Sequence, residues 1–146
     1  MASHPKGLNW IIALLVFAFL ATLAYWIVFF TSGAVQVRTD PVYIEYEKAF
    51  PLADGWMALC ALLGAIGLVR GRDWGFLFGL LAASSSIFLG LMDVTFNLNE
   101  GIYRMGGAET GIEIAINLLT LLLGPVILIY LWKNRLSFID RSRSLV

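Results

Sequence analysis

Apolar residues in this chain come in long runs, and the polar residues gather between those runs or at their edges. The run LNWIIALLVFAFLATLAYWIVFF, residues 8–30, carries no ionisable acid or base apart from Tyr25. Comparable runs follow at about 52–69, 74–96 and 110–132. Each is close to the ~20 residues with which a helix spans the hydrocarbon core. No strand-like alternation interrupts them, and a helix satisfies every backbone group within its own segment. The pattern predicts an all-α integral membrane protein, an antiparallel bundle of four transmembrane helices forming one domain over 1–146. The first run is too long and too aromatic for a cleaved signal peptide, and no small-residue cleavage site follows it, so it is expected to be retained.

The connections add detail. In TSGAVQVRTDPVYIEYEKAFP, residues 31–51, Thr31, Ser32 and Gly33 end the first helix and Asp40-Pro41 marks a turn. Tyr43, Tyr46 and Phe50 then recur at helical spacing while Glu45, Glu47 and Lys48 project elsewhere. This predicts a short interfacial helix over the outer mouth, held by its aromatic rings; an ordered loop with aromatic anchors is the alternative. The short RGRD turn at 70–73 makes the second and third spans antiparallel neighbours. Loop 97–109 contains the Gly106-Gly107 pair and is expected to be flexible there.

Polar residues inside the spans are where chemistry is expected. Projected on a helix, Gly75, Gly79, Ser86, Gly90, Asp93, Asn97 and Glu100 share one face of the third span. The fourth span aligns Glu109, Glu113, Asn117, Thr120 and Gly124, and the second aligns Asp54, Ala58, Ala61 and Ala65. Asp54, Asp93 and Glu113 therefore sit at similar depth, each within roughly one helical turn of the same interface at ~1.5 Å per residue. Facing inward, they would line one pocket that opens outward. Asp54 and Glu113 have another reading as first-turn acids favoured by the helix dipole. Asp93 has none, since a negative charge at a helix C-terminus opposes the dipole, and an intramembrane acid is by default functional. Asn97, Asn117 and Glu100 are candidate ligand contacts, although the two asparagines fit interhelical hydrogen bonds equally well. Tyr25, beside Trp26 and one turn above Thr22, is placed to close the fourth wall, and an aromatic wall beside acids suits an organic cation. Pro125 is expected to kink the fourth helix, and Trp56, Trp74 and Trp132 stand at span ends as interface anchors.

Composition confirms the class: 60% of the residues are hydrophobic and 14% charged. Charge then sets orientation. With four spans, Lys6, Arg70, Arg72, Lys133, Arg135, Arg141 and Arg143 share a side with Asp73 and Asp140. The other side holds Arg38, Lys48 and Arg104 with the remaining acids. The positive-inside rule places both termini in the cytoplasm of a prokaryotic plasma (inner) membrane. Cys60 is the one cysteine and His4 the one histidine, which excludes a disulfide, a thiolate metal site and a bis-histidine haem within one chain. No nucleotide motif and no basic block suited to nucleic acid is present. Were a metal bound by Asp93, Asp54 and Glu113, oxygen donors alone would favour a hard cation such as Ca²⁺, Mg²⁺, Mn²⁺ or Na⁺.

Three functions remain open. The first is binding or transport of a cation, or of a small cationic or lipophilic ligand, in an acid-lined pocket on the extracytoplasmic side. Oligomerisation through the GxxxG pair at 75/79 and the alanine face would be expected of so small a carrier. The second is an accessory or assembly subunit of a larger membrane complex. The third is a carboxylate acid–base enzyme on a lipid substrate, for which the sequence offers no nucleophile, phosphate cradle or cofactor motif. Convergence of Asp93, Asp54 and Glu113 distinguishes the first from the second.

Overall fold

The computed structural model describes residues 5–138; His4, Asp140, Arg141 and Arg143 lie outside the described residues. The elements are α1 (Leu8–Thr31), α2 (Pro41–Glu47), α3 (Pro51–Val69), α4 (Asp73–Asn99), a 3-10 turn (Ile102–Arg104) and α5 (Ala108–Lys133). There is no strand among the described residues. Four stretches are long and apolar enough to cross a membrane: α1, α3 together with α2, α4, and α5. The two ends of the molecule differ in charge. Lys6, the Arg70–Arg72 turn and Lys133 mark a basic end, while α2 and the 3-10 turn lie at an acidic end.

Element boundaries follow from local chemistry. Asp40 caps α2 by accepting the backbone N–H of Tyr43 at 3.1 Å, with Pro41 in the first helical turn. That same N–H, helped by the guanidinium of Arg38, holds the Asp40 carboxyl below the usual carboxylate range. Pro51 opens α3. α4 runs on to Asn99, further than the apolar pattern to about 96 predicted, and ends where Gly101 turns left-handed at φ 68°. Asp93 and Asn97 thus lie inside a regular helix. α5 continues unbroken through Pro125.

Helix order in the bundle is α1, α3, α4, α5, with α4 packed against α3 on one side and α5 on the other. The α3–α4 contact is made backbone to backbone. A β-carbon on Gly75 would overlap the main chain of Gly67 and Leu68, and one on Gly64 would come within 2.9 Å of the Gly79 nitrogen. Against α5, the room left by Gly124 is filled by Ile87 and the Ala83 carbonyl, and Ser86 donates a hydrogen bond to the Thr120 carbonyl at 3.1 Å. The small residues of α3 and α4 are buried against neighbours in the same chain.

At the basic end Leu8, Ile11 and Leu15 of α1 join Ala61, Ala65, Leu68, Ile127 and Leu131 in a closed apolar core. The Tyr130 hydroxyl ties α5 to the N-terminal segment by donating toward the carbonyls of Pro5 and Lys6. At the acidic end a smaller cluster of Phe50, Met57 and Leu89 is flanked by Trp26 and Tyr46. The rings of α2 and of Phe50, which follows it, turn toward the bundle. Tyr43 and Phe50 are buried, and Tyr46 stacks on Phe96 of α4 with centroids 3.9 Å apart. Burying these rings is favourable wherever the helix lies, which is why their spacing predicted the element and not its orientation.

Gly67→Ala or Gly75→Ala should force α3 and α4 apart and cost about 1–3 kcal/mol or more. Gly111→Ala, where a β-carbon meets nothing within 4 Å, should leave stability unchanged or slightly raised. Thermal unfolding of the three variants in one detergent checks both expectations.

Candidate functional site

Between the two apolar clusters α1 stands away from α5, and the space between them is a cavity of about 380 Å³. Small side chains at the middle of α1, Ala18, Ala21 and Thr22, leave the room. Thr22 satisfies its hydroxyl on the Ala18 carbonyl of its own helix at 2.9 Å. The volume suits a small organic molecule.

Four carboxylates from four elements line this cavity: Glu47 of α2, Asp54 of α3, Asp93 of α4 and Glu113 of α5. Asp54 sits in the first turn of α3, where the dipole favours it, and accepts a hydrogen bond from Trp26 Nε1 at 2.9 Å. Trp26 is itself held edge-on by Tyr25 and Phe29, with centroids 5.1 Å away in both cases. The Asp93 carboxylate accepts no hydrogen bond and makes no ion pair among the described residues. Glu113 is only 7% exposed. Its Oε2 accepts a hydrogen bond from Asn97 Nδ2 at 3.3 Å, and its Oε1 has no partner among the described residues.

Among the described residues no lysine, arginine or histidine lines the cavity. Two basic residues of this end are engaged elsewhere: Arg38 bonds Asp40 at 2.7 Å and Glu100 at 2.9 Å, and Lys48 bonds Glu45 at 2.8 Å. Like charges in a poorly solvated space repel, so negative charge here has to be balanced by protons or by a bound cation. The acids are also dispersed. Among the described residues no three stand close enough to share one metal ion, so the hard-cation site considered for Asp93, Asp54 and Glu113 is not formed as a coordination sphere.

Of the residues singled out from sequence, Asp54, Asp93, Glu113, Asn97 and Tyr25 line the cavity. Glu100 does not; it lies on the outside, paired with Arg38 across the first loop. Asn117 is behind the wall. It is 3% exposed, donates to the Tyr103 hydroxyl at 2.9 Å and leaves its own Oδ1 unpartnered. Glu47 is the residue that sequence reasoning passed over. It lies four residues after Tyr43 and three before Phe50, so the periodicity that marked the inward rings also put Glu47 on their side.

No family model matches the chain, and no curated protein and no solved structure matches it.

Trp26→Phe keeps an aromatic ring but removes the donor to Asp54. It should destabilise the protein by about 1–3 kcal/mol, the cost of leaving a buried acceptor unsatisfied. Chemical or thermal unfolding against wild type measures this, and Trp26→Phe combined with Asp54→Asn should lose less than the two single variants together.

Proposed function

We propose that this protein binds a small organic cation, an amine or quaternary ammonium group, in the acid-lined cavity. The observation that carries this reading is that, among the described residues, four carboxylates and no basic side chain line one cavity. An organic cation fits better than a metal ion for two reasons. The acids are spread around the walls and do not converge on a point. Tyr25, Trp26 and Phe50 also stand among them, and an aromatic face attracts an ammonium group by about 0.5–2 kcal/mol. An acid–base enzyme finds less support. The lining hydroxyls of Thr22, Ser86 and Thr120 all donate to helix carbonyls and none is held by a base.

The setting we propose is an antiparallel four-helix bundle in the plasma membrane, with both termini cytoplasmic and the acidic end extracytoplasmic. Its support is the concentration of basic residues around the termini and the Arg70–Arg72 turn, which the positive-inside rule assigns to the cytoplasm. An accessory role in a larger complex is less well supported, because Asp54, Asp93 and Glu113 meet at one cavity and do not address separate neighbours.

Thermal unfolding of the purified protein with a panel of amines, quaternary ammonium ions and metal ions tests the binding reading. An ammonium ligand at about 100 times its Kd should stabilise wild type by about 2.7 kcal/mol, and Asp93→Asn should lose that gain. Equal behaviour of wild type and Asp93→Asn with every cation would remove the proposal. For orientation, a cysteine introduced at Gly106 in a Cys60→Ala background should react with a membrane-impermeant thiol reagent on intact cells. One introduced at Arg72 should react only after the cells are opened.

A further inference from the structure

The cavity is long as well as acidic, and its two ends differ. On α1 its lining runs from Val28 down to Phe17, and on α4 from Asn97 down to Ser86. At ~1.5 Å per residue each wall is about 16 Å long. All four acids stand at the upper end. The lower part is walled by Phe17, Ala18, Ala21, Leu89, Leu119 and Leu123. The hydroxyls there, Ser86 and Thr120, are already donated to backbone carbonyls. A hydrated ion would find charge at the top of this space and nothing to bind it below.

Two residues of the apolar wall are themselves exposed. Phe17 on α1 and Leu119 on α5 line the cavity and are 46% and 42% exposed. Both lie near the middle of their helices, at the depth where the surroundings of a membrane-spanning bundle are hydrocarbon. Toward the basic end the gap closes, where Leu15 and Leu131 both stand beside Gly79 and Tyr130 reaches the N-terminal segment. At the acidic end α2 covers the top through the Tyr46–Phe96 stack.

We propose that the occupant is a single-chain amphiphile with one cationic head, admitted from the bilayer between α1 and α5. Its head lies among Glu47, Asp54, Asp93 and Glu113, and its apolar chain fills the space down to Phe17 and Leu123. This rests on the cation-binding reading and adds the ligand's shape and its route. Charge complementarity selects the head: the unpartnered Glu113 Oε1 and the unbonded Asp93 carboxylate are the acceptors left for it. The apolar wall selects the chain, and the exposed Phe17 and Leu119 mark the route by which the chain need never cross water.

The test is equilibrium binding of n-alkyltrimethylammonium ions, from tetramethylammonium to the sixteen-carbon chain, to the full-length protein in phosphatidylcholine nanodiscs. Neutral alcohols of equal length and empty nanodiscs serve as references. Affinity on the aqueous scale, after subtraction of empty discs, should rise about three- to fourfold per methylene until the ~10 Å of groove below the acids is full at about eight carbons, then level off. Ala21→Phe, which narrows the chain region, should flatten that slope, and so should Leu119→Trp at the proposed entry, a second variant in case the first does not fold. Asp93→Asn should lower affinity at least tenfold at every chain length. Binding of tetramethylammonium that depends on Asp93 but does not grow with chain length would overturn the amphiphile while leaving the cation site standing. Alcohols that bind as tightly as ammonium ions would overturn the cationic head. Failure of every ammonium ion to distinguish wild type from Asp93→Asn would overturn the cation site itself.

Discussion

The structure depends first on the contact of α3 with α4 at Gly64, Gly67, Gly75 and Gly79. Between helices in lipid there is no hydrophobic driving force, so association relies on close packing, and only glycine lets two backbones approach as these do. A β-carbon at Gly75 would overlap the main chain of α3. This contact fixes α3 and α4 as a rigid pair at the basic end. Higher up, the same two helices carry Asp54 and Asp93, whose relative position is therefore set by glycines several turns away.

On this pair the other two long helices are hung differently. α5 packs along α4 through Gly90, Gly124 and the Ser86–Thr120 hydrogen bond. α1 packs on α3 and is held at its two ends, by Leu8, Ile11 and Leu15 below and by the Trp26–Asp54 hydrogen bond above. Its middle, built of Ala18, Ala21 and Thr22, has too little side chain to reach α5, and the cavity follows from that shortage. The hydrogen bond from Trp26 thus has two effects, since it fastens α1 and orients one of the acids. The Arg38 bridge between Asp40 and Glu100 fastens the first loop to the end of α4 and holds that guanidinium away from the cavity acids.

Much of this was legible in the residue pattern because membrane helices have few alternatives. The four runs, the RGRD turn, the short helix after Asp40-Pro41 and the common depth of Asp54, Asp93 and Glu113 follow from length, turn chemistry and helical periodicity alone. The readings that the structure revised share one cause. Glu100 continues the helical stripe of Asp93 and Asn97, but its helix has ended, and a salt bridge to Arg38 draws it outward. Asn117 shares a face with Glu113, yet it falls behind the cavity wall, bonded to Tyr103 of the 3-10 turn. Glu47 has the periodicity of an inward residue, but a charged residue beside Lys48 on a short amphipathic helix reads as solvated until the helix is seen folded over the bundle.

The sequence by itself determined which segments are helical, which ends carry which charge, and that three intramembrane acids stand at one depth. These are properties of single helices, fixed by composition and by a repeat of 3.6 residues. Only the tertiary structure decided that the acids face one space, that α2 adds a fourth, and that no basic side chain among the described residues enters. Those facts depend on the rotation and spacing of helices against one another. Close contacts at a few glycines and one indole hydrogen bond set that geometry, and periodicity carries no information about it.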